Sequence, residues 1–530
     1  MTDPDPQAAS TATSTETITG DELNPDTGPD TRTGRMWRSL WRTHFYAGFF
    51  AAPILVMLAI TGLVILYTQP IQNWTQNDLR RVEPTGEVRS LDEQLDAVAA
   101  ANPDAAVAGV TPGIDAEAST MFHITNAEGT AYTVFVNPYT AEVLGDVKDG
   151  DDIVGLSNRL HGSLNNESIT VPMPMLAGIL GEGPAFESVP LGEVIVEIFA
   201  GWAMVLAITG IYLWLPRKKG AGKALIKPRW SRGGRVRWRD LHAIGGTLLG
   251  GLLIFFIATG LPWSSVWGPS FSYVASEVTP NEAPSFWEWE GPTSAVPTPG
   301  DIDRAGNAIP WAARYDALPP SGSGGGHQGH SGGTTTAPTD GPPAQLVSLD
   351  VVAAAAADEG MQPGSTIWYP VNTEGDNGEM IYGPWVVFNP WPGRMSTQGA
   401  LYLDQFSGET LAKSTPETWG SIQWATEFGV QTHMGTQFGW FSRILATAVC
   451  LLIFWNIFTA FKMWNRRRRK GTVGIPRRPV DVKMQRRVGI PALILAVIYP
   501  LWGATLALVL LFDRYVVRRN TKLRAAFGMR

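Results

Sequence analysis

Two apolar stretches of this chain share one layout: a histidine, then, seventeen positions later, a threonine followed by glycine. His44 precedes Thr61-Gly62, and His242 precedes Thr259-Gly260. Either stretch is long enough to cross a ~30 Å hydrocarbon layer as a helix. At ~1.5 Å per residue the two ends of the layout lie about 25 Å apart. Each helix therefore places its imidazole near one membrane face and its Thr-Gly near the other. The duplication predicts a membrane bundle assembled from two related halves.

Further apolar runs complete the pattern. Spans are expected at Phe45–Tyr67, Val194–Leu215, Ala243–Trp263 and Phe441–Trp464. A fifth segment, Ile490–Phe512, contains Pro500 and reads either as one kinked span or as a re-entrant pair whose halves, about a dozen residues each, would be too short to cross. Basic residues set the expected orientation. Arg35, Arg38 and Arg42 precede the first span, ten Lys or Arg run from Arg217 to Arg239, and Arg466 to Lys470 follow the fourth span. Those faces are expected to be cytoplasmic, in a multi-pass cell-membrane protein surrounded by lipid. Positive-inside does not decide the fifth segment, because the final tail is also basic.

The expected fold class is an α-helical transmembrane bundle, four main spans plus a fifth apolar segment, with two extracytoplasmic α+β modules. Residues 1–34 read as a disordered cytoplasmic tail, since Ser, Thr, Pro, Asp and Glu dominate them. Helical spans are assigned to 35–67, 194–215, 242–263 and 437–464, with basic loops at 216–241 and 465–489. The fifth segment covers 490–512 and a basic tail 513–530. The outer modules fill 68–193 and 264–436. In the first, a helix is predicted over Leu91–Ala101 and strands over Thr120–Thr125 and Ala131–Asn137. In the second, a helix is predicted over Val347–Glu359 and strands over Thr366–Val371, Pro384–Asn389 and Ala400–Leu403. The strand–turn–strand runs beginning at Val134 and Leu401 match each other in pattern. Ser321–Pro343, rich in Gly, Ser, Thr and Pro, reads as a flexible loop.

Cys450 is the single cysteine, which excludes an intrachain disulfide, a cysteine-ligated iron–sulfur cluster and a thiolate zinc site. Histidine is left as the main ligand for a transition metal or haem. Of seven histidines, His327 and His330 lie in the flexible loop as weak metal candidates, and His123 reads as structural. The other four form a matched set. His44 and His242 sit at the inner ends of spans one and three; His161 and His433 sit outside, ahead of spans two and four. An isolated interfacial imidazole is ordinary, but a duplicated set of four fits two haem b groups, each held by two neutral imidazoles inside a helix bundle. The pairings are expected to be His44 with His242 and His161 with His433. Gly48, Gly162, Gly245, Gly246 and Gly435 would leave room for a flat macrocycle. Trp263, Trp267, Trp440 and Phe441 read as an interfacial belt more readily than as a haem lining.

Several motifs resemble one family. Ile195-Val-Glu-Ile-Phe-Ala-Gly-Trp-Ala-Met-Val-Leu-Ala-Ile-Thr-Gly-Ile-Tyr-Leu-Trp-Leu-Pro-Arg is similar to the second-helix signature of the PepSY-associated transmembrane proteins. Arg239-Asp-Leu-His with the later Thr-Gly-Leu-Pro-Trp-Ser-Ser-Val-Trp-Gly resembles their third helix, and His433-Met-Gly-Thr-Gln-Phe-Gly the motif before the fourth. The outer modules resemble PepSY modules. The resemblance implies an iron-regulated inner-membrane protein of the haem-containing ferrisiderophore reductase kind, with His44, His161, His242 and His433 as ligands. The chain departs from that pattern in three places. Asn165 to Pro190 is added between His161 and the second span, Met434 stands where an acidic residue is usual, and the loop at 321–343 is extra.

The leading functional expectation is therefore a membrane-bound, haem-dependent reductase. It would take electrons from an unidentified donor and pass them to ferric siderophore or another extracytoplasmic acceptor. No Gly-x-Gly-x-x-Gly opens a helix after a strand, so no nicotinamide or flavin fold is evident. No nucleic-acid partner is expected. The alternatives are a metal or small-molecule transporter and a cofactor-free regulator of exported peptidases. A transporter would be expected to carry ionisable residues at mid-membrane, and these spans are nearly free of them.

Overall fold

The computed structural model describes residues 32–166, 168–174, 186–215, 227–230, 234–278, 346–374, 378, 380–390, 392–467 and 482–526. The tail before residue 32, the 321–343 loop and most of the basic loops lie outside these residues. The principal helices are α1 (Arg32–Leu66), α2 (Leu91–Ala101), α3 (Ile153–Ser163), α4 (Leu191–Trp214), α5 (Gly234–Gly260), α6 (Trp267–Val278), α7 (Leu349–Asp358), α8 (Ser421–His433), α9 (Trp440–Arg467), α10 (Val482–Ile498) and α11 (Pro500–Tyr515). Among the described residues, five helices are long and apolar enough to cross a membrane: Met36–Leu66, Leu191–Trp214, Val236–Trp263, Trp440–Arg467 and Pro500–Arg519.

Four of them make the bundle. α1 and α5 each pack against both α4 and α9. The shared core is small and aliphatic, with Ala51, Ala59, Ala203 and Ala207 among Leu55, Leu249 and Ile453. Small residues let helix backbones approach closely, which is how helices associate in lipid, where apolar burial gives no drive. The short helix α3 lies on α1 and α4, and α8 lies on α5 and α9. The halves α1–α3–α4 and α5–α8–α9 thus have the same plan.

The fifth segment is two helices with a corner between them. The helix breaks at Tyr499 (φ −121°, ψ 78°), where its N–H closes α10 on the Leu495 carbonyl. Pro500 then takes the first position of α11, where its missing N–H leaves nothing unpaired. The helices run 17 and 16 residues; the apolar part of the first is Val488–Ile498, and α11 with its continuation to Arg519 reaches spanning length. The corner sits beside α6, since Trp267 Nε1 donates to the Ile498 carbonyl at 2.9 Å. α11 then runs along α4, with Trp502 packed on Gly201.

The outer segments are also more closely joined than two separate modules would be. Strands β1 (Ala106–Thr111), β2 (Thr120–Thr125), β3 (Ala131–Val136) and β4 (Val143–Lys148) come from the first, and a hairpin of β5 (Thr170–Pro174) and β6 (Phe186–Pro190) follows. The second supplies β7 (Thr366–Trp368), β8 (Trp385–Phe388), β9 (Ala400–Leu403) and β10 (Thr410–Ser414). They form one eight-stranded antiparallel sheet in the order β10-β9-β8-β7-β1-β2-β3-β4. The seam is β1 on β7, pairing Gly109 with Trp368 and Val110 with Ile367. A Cβ at Gly109 would come within 2.8 Å of both the Ile367 carbonyl and the Trp368 ring, so only glycine fits there.

Helices α2 and α7 cover one face of this sheet over a single core that includes Val98, Val110, Phe122, Val352, Trp385 and Leu401. They also cap each other. Asp350 of α7 accepts from the Leu91 N–H at the start of α2 (2.9 Å), and Asp92 of α2 accepts from the Leu349 N–H (3.1 Å). A carboxylate at a helix N-terminus satisfies orphan donors and meets the positive end of the dipole. Beneath the sheet, Gln437 Oε1 accepts from the Met395 N–H (2.9 Å), and Gln431 Oε1 accepts from that of Gly393 (3.2 Å), tying the end of α8 to the β8–β9 link.

Candidate cofactor site: two pairs of half-buried histidines

His44 and His242 stand on diagonal helices and meet inside the bundle, their ring centroids 6.3 Å apart and their planes at 75°. Their partners explain both orientations. His44 Nδ1 lies 3.1 Å from the Leu206 carbonyl and 3.1 Å from Thr209 Oγ1, both on α4. His242 Nδ1 lies 3.2 Å from the Asn456 carbonyl and 3.1 Å from Thr459 Oγ1, both on α9. A carbonyl only accepts, so Nδ1 carries the proton in both rings. The Nε2 lone pair is then left for a ligand.

The second pair is clasped the same way at the sheet end. His161, on α3, places Nδ1 2.9 Å from Thr61 Oγ1 of α1. His433, the last residue of α8, places Nδ1 3.1 Å from Thr259 Oγ1 of α5. Burial is the main cause that lowers the pKa of both imidazoles to about 4, with the neighbouring His161 contributing for His433. Both are therefore neutral near pH 7, the state that offers a lone pair. Because Thr61 lies seventeen residues along α1 from His44, the two pairs are separated by about 25 Å of helix.

All four threonines have already used their own proton. Thr61 donates to the Met57 carbonyl (2.9 Å), Thr209 to Val205 (2.6 Å), Thr259 to Phe255 (2.9 Å) and Thr459 to Asn456 (3.0 Å). With the hydroxyl proton directed back into the helix, the oxygen can only accept from the imidazole. A second group that binds one ring nitrogen and so sets the tautomer and orientation of the other is typical of metal-ligating histidine. The adjoining glycines make room for the rings. A Cβ at Gly210 would lie 3.0 Å from His44 Cε1, one at Gly260 3.2 Å from His433 Cε1, and one at Gly62 3.5 Å from His161 Cε1. Thr459 is followed by Ala460 instead.

The structure brings His44 and His242 together, and it sets His161 near enough to His433 to lower its pKa. The supporting residues are partly different from those expected. Gly48 faces Leu206, while Gly245 and Gly246 face Trp455 and Asn456, so these three serve helix contacts; Gly435 is a left-handed turn residue (φ 76°), and Gly162 faces open space. Thr209 and Thr459 escaped sequence reasoning. The Ile-Thr-Gly-Ile of α4 carried a signal for the first, being a third copy of Thr-Gly, but nothing marked the second. Trp440 and Phe441 are exposed, as an interfacial belt requires. The ring that does touch a ligand candidate is Phe256, 4.9 Å from His433.

The added Asn165–Pro190 stretch does not displace His161. Its described ends pair as the β5–β6 hairpin, from Thr170↔Pro190 to Pro174↔Phe186. α3 is anchored independently, through Asp152, which accepts from the Gly155 N–H (2.6 Å) and from Gln72 Nε2 (2.9 Å). His123 is structural, as expected: its Nε2 lies 2.9 Å from Thr111 Oγ1, and its ring stacks on Trp368 across the seam. His327 and His330 lie outside the described residues.

The fit to haem rests on spacing and donor type. Two metal–imidazole bonds of about 2 Å, plus about 1 Å from each nitrogen to its ring centre, require centroids roughly 6 Å apart, and His44 and His242 meet that requirement. Two opposed neutral imidazoles in an apolar bundle suit a metal that brings its remaining donors in a macrocycle. The protein is accordingly of the membrane-bundle class, with two imidazole pairs stacked along the bundle axis and a sheet domain at one end. It belongs to the PepSY-associated TM region family, whose pattern matches residues 41–467. A comparison with curated proteins found no match.

Proposed function

We propose that the chain is a haem b electron carrier of the membrane, which reduces an acceptor at its sheet end. The observation that carries this reading is the fourfold clasp: each of the four imidazoles has Nδ1 on a threonine hydroxyl and Nε2 left over. His44 with His242, and His161 with His433, would each hold one haem. Bound there, haem supplies reversible one-electron chemistry at two depths of the membrane. The clasps hold the imidazoles neutral and oriented, and the packed aliphatic core between the pairs excludes water.

The favoured acceptor is a ferric siderophore, in iron acquisition. Hard oxygen ligands hold Fe(III) far better than Fe(II), so reduction alone loosens the metal. The sheet end is taken as extracytoplasmic and the arginine-rich end, with Arg38, Arg42, Arg466 and Arg467, as cytoplasmic. The electron donor would be a separate protein, a soluble reductant or a quinol. Transport of an ion is less favoured, because Glu197, buried in α4, is occupied in accepting from the Val266 and Trp267 N–H groups at the start of α6.

The test is the absorbance of the purified chain with and without dithionite, together with porphyrin content per chain. A Soret band that shifts on reduction, with two haems per chain, is the expected result. A chain that stays colourless after expression with haem supplied, and takes up none when it is added, would falsify the reading.

A further inference from the structure

Resting on that reading, we propose that Arg443 is a carboxylate-binding residue at the sheet end of the His161–His433 pair. Arg443 lies in the first turn of α9, and its N–H bonds the Gly439 carbonyl in the turn that follows His433. That turn is pressed between Arg443 and the end of α1, so closely that a Cβ at Gly435 would come 2.7 Å from Leu66 and 3.2 Å from Arg443 Cα. The guanidinium points to Tyr67, 5.9 Å from its ring centre, and Tyr67 in turn shares a 3.2 Å hydrogen bond with Thr447.

Among the described residues no anion meets the charge of Arg443, whose guanidinium lies against the Tyr67 ring. Its Nε is buried and makes no hydrogen bond, and among the described residues no carboxylate lies within ion-pair distance. Arg394, at the same end, is exposed to water, and four others are provided for. Arg80 bonds Gln76, Arg81 pairs with Asp115 and Glu117, Arg89 pairs with Glu93, and Arg159 bonds Asn165 and the Gly150 carbonyl. A half-buried guanidinium without an anion, next to apolar helices, is costly unless a ligand completes it. The Arg443 guanidinium lies at the end of α1 against Tyr67 and the residue's backbone braces the turn leaving His433, so it borders the outer pair. Two sources share that chemistry: a propionate of the bound haem, or a carboxylate of an incoming ferric chelate.

The full-length chain, as R443Q, R443K and R394Q variants, separates these. Arg394 is an exposed arginine near Gly439 and serves as the control. Each protein is titrated with protohaem and with protohaem dimethyl ester, which lacks the carboxylates, and then assayed with ferric citrate and with a neutral ferric trihydroxamate. If the haem propionate is the partner, R443Q weakens protohaem binding at the outer site by about tenfold or more, to the level of the ester, and R443K recovers most of it. If the chelate is the partner, haem binding is unchanged while KM for ferric citrate rises about tenfold or more and that for the neutral chelate does not. R443Q indistinguishable from wild type in both assays overturns the inference, as does equal weakening of protohaem and ester, or an R394Q that behaves like R443Q. A wild-type chain that takes up no haem at all fails differently, by removing the functional reading and this site together.

Discussion

The two histidine pairs are chemically alike but mechanically different. His44 and His242 belong to long membrane helices and are clasped by threonines on the next long helices, so the basic-end pair is set by the bundle alone. His161 and His433 belong to the short helices α3 and α8; α3 follows β4 directly in the chain and is held by Asp152 to Gln72 of the helix Thr68–Thr75, and α8 is tied to the β8–β9 link of the sheet through Gln437 with Met395. Only their clasps, Thr61 and Thr259, lie on membrane spans. A ligand site built wholly from spans tolerates change in the extramembrane domain, whereas one hung from short helices transmits it. The geometry of the sheet-end pair can therefore respond to what docks on the sheet, while that of the basic-end pair stays constant.

The largest test of this division is removal of single ligands. H242A is expected to lose one of two haems while leaving the sheet-end spectrum intact, and H433A to lose the other; pyridine haemochrome content would fall by about half in each. If one substitution empties both sites, the pairs are not independent and the division fails. Next come the clasps. Thr→Val at 209 or 459 should weaken haem at the basic end, and at 61 or 259 at the sheet end, by about 10- to 100-fold each, read by haem titration. An unchanged affinity in all four variants would reduce the clasps to ordinary helix packing.

Smaller and graded effects are expected from the glycines. G210A should disturb its histidine most, G260A less and G62A least, following the 3.0, 3.2 and 3.5 Å approaches, and A460G should be silent. The order of the shifts in the α-band would check this. The smallest effect should come from the reciprocal caps. D350A would cost about 1 kcal/mol of sheet-domain stability, seen as faster hydrogen exchange in α2 and α7. Any accompanying change would fall on the sheet-end pair and spare the basic-end pair.

The bundle and all four ligand candidates were legible because duplication repeats residue and position together: His44 and His242 each stand seventeen residues before a Thr-Gly. The match between the runs at Val134 and Leu401 likewise foretold β3–β4 and β9–β10. The seam was hidden. β1 is Ala-Val-Ala-Gly-Val-Thr, weak in strand preference, and its partnership with β7 is a contact between residues more than 250 positions apart, which no local pattern encodes. Thr459 was invisible for a related reason, since without a following glycine it is one polar residue in a long apolar helix. Pro500 left one kinked span and a re-entrant pair equally open, since at a first helical position it starts a helix as readily as it ends one.

Every threonine clasp is internal to one repeat, while every imidazole pair draws one ring from each. Either repeat by itself therefore presents two oriented rings facing nothing. The binding sites exist only in the joined molecule, and any ligand that bridges a pair acts as a rivet between the repeats, strengthening their union by mass action. Two separate copies of one repeat, related by a two-fold axis, would satisfy the same contacts, and the covalent link between them turns what would be an association constant into a property of a single chain.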